Sequence, residues 1–118
     1  MRMTEKQVEE AFAAYLRADG WDVSLKNRDY VDLLATRGSE ALVAELKGHT
    51  SSPGLDVDTG YGQLLRRIDP AQTGVRYALV VPASMRFHVT RVRRGVRAGL
   101  GVEVFVVADD ATVSLVSD

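Results

Sequence analysis

The sequence predicts an α/β fold, a central mixed β-sheet flanked by helices, and three observations lead there. The continuous apolar run Tyr77–Val81 has the composition of a strand covered on both faces, and Val102–Val107 reads as another buried strand. Segments with helical periodicity lie before each of them, as parallel crossovers require. Upstream, alternating segments separated by short turns read as an antiparallel meander. With 118 residues, 46% hydrophobic and 26% charged, the chain is expected to form one domain over residues 1–118.

Thr4 and Gln7 have the form of a capping box, and Val8, Ala11, Phe12, Tyr15 and Leu16 follow at helical spacing, predicting a helix over residues 5–18. Gly20 closes it. Trp21, Val23 and Leu25 alternate with polar residues as a first strand, which ends at the turn-prone Asn27 to Asp29. The stretch from Tyr30 to Lys47 then predicts two strands joined at Arg37, Gly38 and Ser39 as an antiparallel hairpin. Gly48 to Gly60 is rich in Gly, Ser and Asp and is expected to be a long loop. A short helix capped by Asp58 or Thr59 carries Tyr61, Leu64, Leu65 and Ile68 and stops before Pro70. After the strand at 77–81, Val89, Val92, Val96 and Leu100 predict a helix over about 86–99. Its opposite face would present Arg86, Arg91, Arg94 and Arg97, with His88 structural. A strand at 102–107 and an edge strand at 112–116 finish the chain.

Composition removes several functions. The net charge of −1 gives no global basic field, so a nucleic-acid surface has to come from local segregation of charge. The absence of cysteine excludes disulfides and thiolate metal sites and fits a reducing, cytoplasmic setting. No apolar run has the length of a membrane span. A glycine-rich phosphate fingerprint is also missing.

Chemistry concentrates in the hairpin. Side chains alternate along strands, so Tyr30, Asp32, Leu34 and Thr36 share one face, as do Val43, Glu45 and Lys47. Carboxylates on otherwise apolar faces are costly to desolvate unless they pair or hold a cation. Asp32 in VDLLA, thirteen residues before Glu45-Leu46-Lys47 in VAELK, resembles the PD-(D/E)XK nuclease superfamily, with its restriction-endonuclease-like fold. The segment EEAFAAYLRADGWDV is similar to the opening of archaeal-type Holliday-junction resolvases, and there Glu9, twelve positions before Trp21, matches a helix-borne acid. Gln63 in YGQLLRRI matches a glutamine that several branches carry; Val31 stands where the motif's proline would be.

The resemblance implies Mg²⁺-dependent cleavage of phosphodiesters, with Mn²⁺ as a substitute and DNA as the partner. Asp32, Glu45 and the Leu46 carbonyl would hold the ion, an all-oxygen set that suits Mg²⁺. Lys47 would orient the attacking water, and Glu9 and Gln63 would assist. His49, Arg66 and Arg67 are candidates for substrate contact, and a homodimer would enlarge the grip on a duplex. The plainer alternatives are a solvated ion pair at Glu45 and Lys47, and a non-catalytic binding or interaction module that keeps the fold.

Overall fold

The computed structural model describes residues 2–25 and 31–118. Tyr30 and the expected turn at Asn27 to Asp29 lie outside these residues. The elements are α1 (Glu5–Ala18), β1 (Asp22–Ser24), β2 (Leu33–Arg37), β3 (Glu40–Leu46), α2 (Pro53–Leu65), β4 (Val75–Pro82), α3 (Arg86–Val89), α4 (Arg94–Leu100), β5 (Val102–Val107) and β6 (Val113–Leu115). The strands form one sheet in chain order, β1 to β6. β3, β4 and β5 run parallel, and β1, β2 and β6 are antiparallel to their neighbours. This is the mixed α/β sheet the sequence predicts.

Each face has its own core. Phe12, Leu16 and Val8 of α1 pack with Leu33, Ala35, Leu42, Ala44, Ala78, Val80 and Phe105 on one face. On the other, Val57, Tyr61 and Leu64 of α2 and Val89 of α3 pack with Tyr77, Leu79, Val81, Val104 and Val106. Consecutive β4 residues therefore enter different cores, which is why YALVV carries no polar interruption. The two parallel crossovers traverse the sheet in the same direction with the same hand, so their helices share a face and α1 is left to cover the other.

The α1 capping box is present, with Gln7 N–H donating to Thr4 Oγ1 at 3.1 Å and Thr4 N–H to Gln7 Oε1 at 2.8 Å. The hairpin turns through Gly38 and Ser39. Gly38 has φ +59°, a left-handed conformation that a residue with a Cβ adopts only at a cost. The resulting register pairs Leu33 with Ala44 and Arg37 with Glu40.

Two elements differ from expectation. The long loop over residues 48–60 is replaced by helix from Pro53 onward, so the link from β3 to α2 spans only 47–52. Pro53 supplies a preset φ at the first turn, and Val57, Tyr61 and Leu64 bury a stripe at helical spacing that outweighs the low helix propensity of Gly54, Gly60 and Gly62. The single helix at 86–99 is two pieces. Thr90 Oγ1 donates to the Arg86 carbonyl at 2.9 Å, and Arg93 is extended, at φ −67° and ψ 152°, as the N-cap of α4. The break resets the helical phase. Arg97 is turned inward, 4% exposed, and Val96 and Leu100 face solvent at 54% and 42%.

Arg86, Arg91 and Arg94 are exposed, as the expected solvated face has it, and Arg97 alone of the four is buried. Arg91 reaches Asp58 at 3.6 Å, Arg86 pairs with Asp118, and Arg97 donates to the Asp118 carbonyl.

The exit from β3 is stitched to the start of α1. His49 N–H donates to the Met3 carbonyl at 2.7 Å, and a Cβ at position 48 would lie 2.1 Å from the Glu5 nitrogen. Gly48→Ala is expected to lower stability by about 3 kcal/mol or more, because the clash is with backbone and no rotamer relieves it. Gly62→Ala, in open space inside α2, should raise stability by about 0.5–1 kcal/mol. Denaturant titration of the two variants checks the pair.

Candidate active site

Continuing the hairpin register by one step sets Asp32, the residue before β2, opposite Glu45 near the end of β3. Asp32 uses its side chain to continue the ladder: Leu46 N–H donates to its Oδ2 at 2.9 Å. On the other side of β3, Lys47 N–H donates to the Val80 carbonyl at 2.9 Å. The Leu46 carbonyl belongs to the same planar trans peptide as that N–H, so it points the opposite way, toward the Asp32 side.

Glu45 is 4% exposed. Its pKa is pushed up from 4.5 to about 7, first by burial, then by a hydrogen bond with the Asp32 carboxyl and by the Asp32 charge; Arg67 and Lys47 oppose the rise. A hydrogen bond between the two carboxyls requires the proton that Glu45 retains, since two carboxylates have only acceptors. Arg67 Nε lies 4.0 Å from Glu45 Oε1, where its guanidinium offsets part of the charge.

Asp32, Glu45, Gln63, Arg66 and Arg67 line one open cleft of about 290 Å³. Gln63 sits on the buried side of α2's last turn, and its Oε1 is buried with no partner among the described residues. Lys47 enters from behind. Its stem runs beneath α2, where a Cβ on Gly60 would lie 3.4 Å from Lys47 Cε, and its charge acts on both Glu45 and Glu5.

The helix-borne acid whose charge is coupled to Asp32 and Lys47 is Glu5, an exposed residue at the start of α1. Burial raises its pKa, followed by the charge of Asp32, with Lys47 opposing and Glu9 adding to the rise. Glu9 follows one turn later on the same side of α1, 3.2 Å from Lys6 Nζ, and the charge of Glu9 reaches Glu5. The helical wheel gives Glu5 and Glu9 nearly the same inward bias. What separates them is the Gly48–His49 stitch, which brings the first turn of α1, not the second, to the end of β3. Thr4 marks Glu5 as the first helical residue, but no local pattern announces a contact with Gly48 forty-three positions further on.

Of the other sequence candidates, Arg66 and Arg67 line the cleft. His49 is exposed, with its backbone committed to Met3, and it is not among the lining residues.

No family model, curated protein or solved structure matches the chain. The resemblance to the nuclease superfamily therefore rests on the residues themselves. The donors they offer are oxygens: two carboxyls, a backbone carbonyl directed to the same side, and the unpartnered Gln63 Oε1. That set fits a hard cation such as Mg²⁺, which takes one or two carboxylates and completes its octahedron with water. No group of three acidic, histidine or cysteine side chains with metal-site spacing occurs among the described residues.

The sign of the Glu45 shift sets a pH dependence. The folded state keeps a proton that the unfolded chain releases, so stability falls as pH rises from about 4.5 to about 7, by up to about 3 kcal/mol, and levels off above. Thermal unfolding in EDTA should show that decline for the native chain and a flatter profile for Glu45→Gln.

Proposed function

We propose that the protein is a Mg²⁺-dependent nuclease of the restriction-endonuclease-like type, hydrolysing phosphodiester bonds in DNA. The observation that carries this reading is the pairing of Asp32 with Glu45 in a cleft they share with two arginines and an amide oxygen that has no partner among the described residues. Two carboxyls forced together repel as anions. A divalent cation between them removes that repulsion and accounts for arginines and acids lining one cleft, since a phosphodiester brings negative charge to the cation and to the guanidinium groups.

Asp32 and Glu45 would hold the ion, with the Leu46 carbonyl and Gln63 as further oxygen donors. Bound there, Mg²⁺ would supply Lewis acidity at the scissile phosphate and lower the pKa of a water. Lys47, its stem fixed under Gly60, would orient that water or neutralise charge at phosphorus. Glu5 would accept from waters at the edge of the site, with Glu9 one turn behind it. Arg67, 4.0 Å from Glu45, would bind the phosphate with its guanidinium while the cation balances the carboxyls; Arg66 would bind the adjoining phosphate.

The second reading is a non-catalytic nucleic-acid-binding module that retains the fold. It is favoured by the same Arg67 to Glu45 contact, through which the carboxyl pair is partly compensated without a cation.

Incubation of the pure protein with labelled single-stranded, duplex and branched DNA in Mg²⁺ or Mn²⁺ separates the two. The nuclease reading expects cleavage that Asp32→Ala and Glu45→Ala each lower by about 10²-fold or more. Glu5→Gln should lower it more than Glu9→Gln. DNA binding without cleavage, unaffected by Asp32→Ala, supports the binding module.

A further inference from the structure

A second cleft of about 310 Å³ adjoins the first, and Arg66 and Arg67 line both. Its other lining differs in kind. Val43, Val75 and Tyr77 form an apolar floor on the α2 face of the sheet, and Asp69 and Gln72 stand at the rim. Tyr77 is 6% exposed, and its hydroxyl accepts from Asp69 N–H at 3.3 Å, which pins the rim to the floor. Asp69 Oδ1 accepts from Ala71 N–H at 3.0 Å, while Gln72 is exposed and carries both donor and acceptor groups.

We propose that this cleft seats one unpaired nucleobase, next in the strand to the phosphate held between Arg66, Arg67 and the carboxyls. The inference rests on the nuclease reading and names its substrate class: nucleic acid that is single-stranded at the nucleotide beside the cut.

Three features select a base over other occupants. The volume is at the lower end of the range for small-molecule pockets, which suits one nucleotide-sized group. An apolar floor with a polar rim matches a flat ring whose faces are apolar and whose edge carries donors and acceptors. Asp69 repels a phosphate but can accept from a base N–H, so the phosphates stay with the arginines and the base enters beyond them. A paired base is excluded because its edge is engaged with its complement and its faces with its neighbours. The charge balance agrees: at −1 overall, the chain has no global basic field of the kind that draws a protein to duplex backbones.

The test is fluorescence anisotropy in EDTA with the full chain carrying Glu45→Gln, so that the probe stays intact and the carboxyl repulsion is relieved. The probes are a short labelled mixed-sequence single strand, the blunt duplex of the same sequence, and a single strand of abasic sugars with the same number of phosphates. The expected result is single-strand binding about tenfold tighter than either of the others. Gln72→Ala, which removes the donor and acceptor at the rim, should lower single-strand affinity several-fold and leave abasic binding unchanged, with circular dichroism confirming the fold. Equal affinity for intact and abasic strands, tighter duplex binding, no effect of Gln72→Ala on a folded protein, or no binding of any probe overturns the proposal. A native chain that cuts nothing in Mg²⁺ while the probe pattern holds defeats the nuclease reading alone. One that cuts duplex in preference defeats the base seat alone.

Discussion

The register of the β2–β3 hairpin is the constraint on which the candidate site depends. A two-residue turn with Gly38 in a left-handed conformation fixes which residues face each other, and that choice propagates to the open end, where Asp32 meets Glu45. A slip of one position would put the apolar sets of the two strands on opposite faces and separate Asp32 from Glu45. Burial of Leu33, Ala35, Leu42 and Ala44 therefore specifies the register, and the polar pair follows from apolar packing.

Three elements from distant parts of the chain close on that pair. α1 delivers Glu5 because Gly48 lets two backbones touch. α2 delivers Gln63, Arg66 and Arg67 because its buried stripe begins at Val57, one turn after Pro53. β4 lies beside β3 in parallel and takes the Lys47 N–H, so the lysine leaves the sheet at a defined angle. The side chains at the site come from helix ends and strand ends, where backbone groups are already incompletely satisfied and polar partners are least costly to recruit.

The sheet was legible because burial on two faces writes continuous apolar runs, and α1 because its capping box and stripe agree. The site was legible in its hairpin, since alternation sets each acid on an otherwise apolar side of its strand and the tight turn makes the two strands neighbours. It was not legible at Glu5, where the deciding contact is long-range and glycine carries no side chain to announce it. α2 was obscured for a related reason. Its glycines lower helix propensity, yet Gly60 is buried against Leu79 and Lys47, where a larger residue has no room. The break at Thr90 to Arg93 was hidden because Val89, Val92, Val96 and Leu100 keep helical spacing across it, and only the side-chain bond of Thr90 and the inward turn of Arg97 reveal the new phase.

Gly60 has a further consequence. A lysine stem normally samples many rotamers, and gathering them at the moment of reaction would oppose it. Here the absence of a side chain at position 60 leaves a channel that the Lys47 methylenes fill. Part of that conformational entropy is lost when the chain folds, so the ammonium group at the end of the stem is left with fewer placements.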